Sequence, residues 1–235
     1  MTHTVPTQNK RGFTYELSHI GEAFITFCKT ASHPVADIGC AYGVATLPAL
    51  EQGANVIALD INKQHIQELE ARVPTALSSQ LTTIVAQFPA VDFEKNSLSA
   101  VYMSQVLPFL QSAEIQLAVQ KIYDWLVPGG KVFLVSFTPY LKHCASYIPV
   151  YEEKVKNGEP WAGYIADLPA YSKDNPIADQ LPNSIYHADT HDLTRVFGDL
   201  FRIDHLDYFG DEQQTLPAWI RHDGRERVGM IATKI

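Results

Sequence analysis

Short, wholly apolar runs alternate along this chain with longer stretches whose apolar positions recur every three or four residues. The runs fall at Val35 to Asp37, Asn55 to Leu59, Leu81 to Ala86, Leu98 to Met103 and Lys131 to Ser136, and each reads as a buried strand. Between them lie helical patterns. Leu17, Ile20, Phe24, Phe27 and Cys28 make one face of a helix within Tyr15 to Lys29, and Ile66, Leu69 and Val73 make another, opened by Asn62 as N-cap and ended at Pro74. Ile115, Ala118, Ile122, Trp125 and Leu126 mark a third, stopped by Pro128-Gly129-Gly130. A shorter helix from Val44 to Glu51 contains Pro48, so it either starts near Thr46 or bends there, and Gly53 closes it. The first dozen residues read as a polar tail. Strands and helices alternating this regularly predict a mostly parallel sheet covered on both faces.

The rhythm breaks after Phe137. From Thr138 to Ala188 the chain carries six prolines and many aromatic residues, Tyr140, Tyr147, Tyr151, Trp161, Tyr164, Tyr171 and Tyr186 among them. A stretch of that length is either a functional lid or disordered, and its aromatic content argues for packing. Asp189 or Thr190 then caps a short helix through Leu193, Val196 and Phe197. Two last strands, about Phe201 to Tyr208 and Arg227 to Thr233, end the chain. No repeat or interdomain linker is visible, so residues 1–235 read as one domain, with an N-terminal helix at about 13–30 and an inserted cap at about 138–188.

Composition narrows the setting. The net charge is −8 and no Lys/Arg cluster occurs, which speaks against nucleic acid. No run is long enough to cross a bilayer, and the three cysteines lack CxxC spacing, so a soluble protein of a reducing compartment, the cytoplasm, is the expectation.

The chemistry concentrates in VADIGCAYGVA, residues 35–45. An apolar strand ends in Asp37, and Gly39-Cys40-Ala41-Tyr42-Gly43 follows as a small-residue turn whose backbone can approach a ligand. Asp60 ends the next strand, near the offset at which nucleotide-binding folds carry a ribose-binding acid. A dinucleotide fingerprint would need glycine where Val44 stands, no GK[ST] follows the turn, and GxSxG does not occur. Phe13 and Tyr15 stand where they could fold over the same ligand, the plainer alternative being a chance aromatic pair.

Over most of its length the sequence resembles a class I, Rossmann-like S-adenosylmethionine-dependent methyltransferase. VADIGCAYG matches that family's D/E-x-G-x-G-x-G motif with Ala41 at the middle glycine, and VIALDIN matches the acidic strand end. SLSAVYMSQVLPFL and LVPGGKVFLVSF match the motifs around the fourth and fifth strands, and YHADTHDLTRVFGDLFRIDHLDYFG with ERVGMIATKI matches the ending. The resemblance implies a three-layer, doubly wound, mostly parallel seven-stranded sheet with an antiparallel C-terminal hairpin strand. It implies that Asp37 approaches the cofactor's amino group, that Gly39, Cys40, Ala41 and Gly43 form the turn against the methionyl part, and that Asp60 accepts from both ribose hydroxyls. Ile61 would lie on the adenine and Gln87, followed by Phe88, would meet its amino group where many members carry Asp. Ser104 and Gln105 would border the methionyl tail.

In such an enzyme the cofactor carries the activation, so alignment and exclusion of water are the protein's main tasks. The expected reaction moves a methyl group to an O, N, S or C atom of a small-molecule acceptor beneath a partly mobile cap, in a monomer or homodimer. The family's frequent His-His pair after the fourth strand is here Pro108-Phe109. Candidates for acceptor contact therefore shift to Tyr140, His143, Trp161, Tyr164 and Tyr186, with His187 as a candidate base. His187 and His191 with Asp189 and Asp192 straddle a helix start, so no metal is expected there. The alternatives are a non-catalytic binder of S-adenosylmethionine or S-adenosylhomocysteine and, less favoured, a nicotinamide-dependent oxidoreductase.

Overall fold

The apolar runs pair in the order that alternation demands. A computed structural model describes residues 5–6, 13–14, 17–172, 181–210 and 216–235, the first two pairs as backbone only. Val5–Pro6 (β1) and Phe13–Thr14 (β2) pair antiparallel where a polar tail was expected. His19–Cys28 (α1) leads into Val35–Ile38 (β3), Thr46–Glu51 (α2), Val56–Asp60 (β4), Lys63–Arg72 (α3) and Leu81–Val85 (β5). Leu98–Ser104 (β6), Ser112–Trp125 (α4) and Leu126–Phe137 (β7) complete the regular part. The sheet has seven strands in the order β10-β11-β7-β6-β3-β4-β5, where β10 is Phe201–Phe209 and β11 is Arg227–Lys234. β11 runs antiparallel to both of its neighbours, β10 and β7, and the other pairings of this sheet are parallel. The strand order reverses between β3 and β6, and the crevice outside their carboxyl ends is where open α/β sheets bind ligands.

Alternation along the strands sorts the core into two faces. Val35, Val56, Ala100, Tyr102 and Phe133 pack under α1 and α2, while Ala36, Ile38, Leu59, Val101, Met103 and Val132 pack under α4 and α7, Thr190–Phe197. The helix starts follow their caps. Ser18 opens α1, Asn62 Oδ1 accepts the Gln64 N–H at 2.9 Å, and Asp189 Oδ1 accepts the Asp192 N–H at 2.6 Å. Because α2 begins at Thr46, Pro48 falls in its first turn, where the missing N–H is one the helix does not use. One expectation is corrected: extended backbone begins at Leu126, so Pro128-Gly129-Gly130 lies inside the strand segment rather than before it.

The described residues of the insertion pack around a core of their own. They contain Ile148–Lys156 (α5), Leu168–Tyr171 (α6) and a short antiparallel pair, Tyr164–Ile165 (β8) with Ile185–Tyr186 (β9). Tyr140, Leu141, Cys144, Tyr147, Tyr151 and Ile165 are buried together, joined by Leu216 and Ile220 from the segment between β10 and β11. Gly163 is required where it stands, since a Cβ there would lie 1.9 Å from the His187 carbonyl oxygen. No described helix is long and apolar enough to cross a membrane.

Candidate functional site

The turn after β3 holds three successive odd-numbered positions at positive φ: Gly39 at 74°, Ala41 at 45° and Gly43 at 82°. Left-handed backbone explains the preference for glycine there, and Ala41 adopts it despite its methyl group. A Cβ on Gly39 would stand 2.7 Å from Val106 Cγ2, so the turn is tightly walled on the side of β6. Gly43 has a different reason. Its Cβ would meet Leu69 Cδ1 at 2.4 Å, so it serves the packing of the turn against α3, and it is absent from the cavity wall.

Two buried carboxylates flank this turn. Asp37 is 3% exposed and its Oδ2 accepts the Thr46 hydroxyl at 2.6 Å. Burial raises its pKa to about 6, with Asp60 adding to the rise and the Thr46 hydrogen bond opposing it. Asp60 is held more completely. Oδ2 accepts the Ala41 N–H at 3.0 Å, Oδ1 accepts the Asn62 N–H at 2.7 Å, and His65 Nδ1 stands 3.1 Å from Oδ1. A carboxylate offers about four acceptor sites, so with all three partners in place one direct bond remains, at Oδ2, where the resemblance implied two. His65 went unnoticed in the sequence because a lone histidine on an amphipathic helix carries no signal. It is 1% exposed and edge-on to Tyr42, with ring centroids 4.9 Å apart.

A cavity of about 290 Å³ opens from these acids and runs beneath the insertion. Its wall includes Asp37, Gly39, Cys40, Ala41, Asp60, Ile61, Gln87, Phe88, Ser104 and Gln105, so ten residues expected around the cofactor are brought together. Ile61 is 52% exposed and lines the cavity, so its apolar face is open to a ligand there. Gln105 sits at φ 59° and its Oε1 accepts the Phe137 N–H at 2.8 Å, tying the ends of β6 and β7 together. The Cys40 thiol is driven up by burial and stays protonated. Tyr15 lies outside the described residues. Leu17 and Ser18 line the cavity in that region instead, and Arg227, across the sheet from Phe137, adds the one arginine or lysine of the wall among the described residues.

The far end of the cavity belongs to the insertion. His143 and His187 both line it, with Leu141, Leu168, Leu181 and Ile185 around them and Trp219 and Ile220 from the segment before β11. Burial holds the His143 imidazole down at about 4 and that of His187 at about 3, the latter also lowered by His143, so both rings are neutral at pH 7. His143 Nδ1 lies 2.7 Å from Ser172 Oγ, whereas His187 Nδ1 is buried with no hydrogen-bond partner among the described residues.

The four other residues expected at the acceptor are not on this wall. Tyr140 is packed against Tyr151 and Tyr208, with the Arg225 guanidinium 3.5 Å above its ring. Tyr186 donates to Asp192 Oδ2 at 3.0 Å, Trp161 donates its backbone N–H to Asp192 Oδ1, and Arg195 covers the Trp161 ring at 4.4 Å. Trp161, Tyr164 and Tyr186 line a separate cavity with Lys154. Aromatic content marked the insertion correctly, but most of its rings hold it together.

A doubly wound sheet with two acids around a glycine turn at its reversal point defines a nucleotide-binding α/β protein. Residues 35–130 match the family model described as a methyltransferase domain. That match and the sheet order agree with the resemblance to the class I, Rossmann-like S-adenosylmethionine-dependent methyltransferases. It is similar to a carboxy-S-adenosyl-L-methionine synthase of Vibrio vulnificus, 30% identical over 128 residues covering 52% of this chain and 51% of that protein. The corresponding synthase of Hydrogenovibrio crunogenus is 29% identical over 52% of this chain and 49% of its own. The chain thus spans about half the length of these curated relatives. Among solved structures, an S-adenosylmethionine-dependent methyltransferase of Methanosarcina mazei superposes with a TM-score of 0.67 at 20% identity, covering 94% of this chain and 99% of that one. The glycopeptide N-methyltransferase MtfA, solved with S-adenosyl-L-methionine, gives 0.60 at 18% identity and 92% coverage of both chains. At those identities the structural likeness speaks for the fold.

Proposed function

We propose that this chain binds S-adenosylmethionine across the turn at residues 39–43 and transfers its methyl group to a small molecule held beneath the insertion. The observation that carries this reading is the continuity of one cavity from Asp60 to His143 and His187. The residues fit the cofactor on structural grounds. Asp60 retains an acceptor site at Oδ2, Asp37 offers a buried carboxylate to a cationic group, and Ile61 offers an exposed apolar face.

When bound, S-adenosylmethionine supplies an electrophilic methyl group. The protein's part is to position and to exclude water. The glycine turn fixes the donor end, while Leu141, Leu168, Ile185 and Ile220 keep the other end dry. His143 and His187, neutral in that setting, orient an acceptor by hydrogen bonding, and such weakly basic rings serve alignment better than proton removal from an alcohol or amine. The curated relatives are named for making a carboxylated form of the same cofactor, so their match supports the donor site and leaves the acceptor to this chain's own insertion.

Calorimetric titration with S-adenosylmethionine, S-adenosylhomocysteine and NAD tests the donor. Failure of both sulfur ligands to bind overturns the proposal. Mass analysis after incubation with an acceptor panel then separates methyl loss from any other change of the cofactor. Binding without turnover across the panel favours a non-catalytic binder.

A further inference from the structure

A second cluster stands apart from the cavity, at the start of α1 and along β10. His205 and Asp207 are two positions apart on one strand, so their side chains share a face, and His19 is the first residue of α1. His205 Nε2 lies 3.1 Å from Asp207 Oδ1 and His19 Nε2 lies 3.6 Å from the same oxygen. One ligand atom from each residue falls within 4.8 Å of the other two.

Ordinary ion pairing accounts poorly for this arrangement. Asp207 Oδ1 is buried and accepts no hydrogen bond among the described residues, although two ring nitrogens stand beside it. A buried carboxylate oxygen left unpaired is costly, and imidazole N–H groups at this range would normally be turned toward it. The 3.6 Å separation is that of two ligands sharing an ion, and the 3.1 Å one needs only a small opening. Zinc binds His nitrogen and carboxylate oxygen at about 2.0–2.2 Å, which sets tetrahedral ligands roughly 3.3–3.6 Å apart. The side chains of His19, His205 and Asp207 are 46%, 42% and 38% exposed, so an ion has access and the rings have room to close on it.

We propose that His19, His205 and Asp207 form a binding site for one divalent ion of the zinc type, with the fourth position left to water. The inference is independent of the methyl-transfer reading. Its consequence is mechanical, because an ion there pins the start of α1 to β10. The His19 ring packs edge-on against Phe209 at 4.6 Å, and the Arg227 guanidinium lies 4.6 Å from the centre of that Phe209 ring. Leu17, Ser18 and Arg227 all line the main cavity, so the pin steadies one of its walls.

The test uses the full chain, free of any histidine tag and stripped with chelator, titrated with Zn²⁺ alone. Saturable binding of one ion per chain is expected, and a melting temperature raised on the order of 5 °C at a hundredfold excess over Kd. His205→Gln at an exposed position and Asp207→Asn at a half-buried one are expected to melt like the parent in chelator, to weaken Zn²⁺ by about tenfold or more, and to lose the thermal shift. With Co²⁺ in place of zinc, intense visible absorption of a four-coordinate ion is expected in the parent and not in the variants. Absence of saturable binding, or affinity held within twofold by both variants, overturns the proposal. The second outcome would move the ion to the buried cysteines or to His143 and His187.

Discussion

Thr46 Oγ1 donates to Asp37 Oδ2 at 2.6 Å, and with the Thr46 backbone hydrogen bond it keeps a fully buried carboxyl from rising further than about 6. The relationship makes the donor site responsive to pH. A cationic ligand favours the ionised form of Asp37, so affinity for S-adenosylmethionine is expected to rise with pH and to level off above about 6. Titrations between pH 5 and 8 in two buffers of different ionisation enthalpy would show proton release at the lower end. Thr46→Val moves the inflection upward and Asp37→Asn flattens the profile. A parent profile already flat through pH 6 would count against the ionised partner.

His65 holds Asp60 from beneath, 3.1 Å from Oδ1. Replacing it with leucine removes one of the three partners of the carboxylate and leaves the Ala41 and Asn62 N–H groups. Affinity for the cofactor is expected to fall about tenfold, the worth of roughly one charge-assisted hydrogen bond. Adenosine analogues lacking a ribose hydroxyl provide the control. If His65→Leu weakens them as much as the intact cofactor, His65 acts on the turn and not on the ribose contact.

Acid should destabilise the fold earlier than its carboxylates alone would predict. The imidazoles of His143 and His187 are depressed to about 4 and about 3. Their contribution is complete above the unfolded value of about 6.5 and is lost as pH falls toward the folded values. From pH 6.5 to 5.5 each costs roughly 1 kcal/mol. Asp37 works in the opposite sense, since its raised pKa favours the fold as pH drops from 6 toward 3.8, but one such group offsets only part of two. Melting curves between pH 7 and 5 check the balance, and His187→Phe should make the decline shallower.

Tyr186→Phe distinguishes a structural ring from a substrate contact. It removes the hydroxyl that donates to Asp192 Oδ2 and nothing from the main cavity wall. Stability is expected to drop about 1 kcal/mol, or 2–4 °C in melting temperature, with the acceptor KM unchanged. A raised KM at unchanged melting temperature would return Tyr186 to the acceptor site.

Gly43→Ala addresses the other side of the turn. The new methyl group meets Leu69 Cδ1 at 2.4 Å and sits at φ 82°. Overpacking and left-handed strain together should cost about 2–4 kcal/mol, visible as a lower denaturation midpoint even without cofactor. Alanine is tolerated two residues earlier, where Ala41 already occupies positive φ.

What was legible in the sequence follows from the range of the interactions involved. The strands were visible because both faces of a parallel sheet are buried, which writes each as an apolar run. Asp37 and Asp60 were visible because each ends such a run beside small residues. His65 and Thr46 were not, since a buried polar partner looks like any surface residue until the fold closes over it. Arg227, Trp219 and Ile220 reach the cavity only through the pairing of β11 with β7, between segments some ninety residues apart. The ring-rich insertion misled for a related reason: aromatic residues announce packing, and only contacts reveal whether the packing is against a guest or against the protein.

Leu216, Trp219 and Ile220 join the insertion from beyond β10, so the chamber at its base is assembled from two separate lengths of chain. Exchanging residues 138–188 alone with those of a related protein would therefore import half a receptor. A workable chimaera of this chamber needs breakpoints around both lengths.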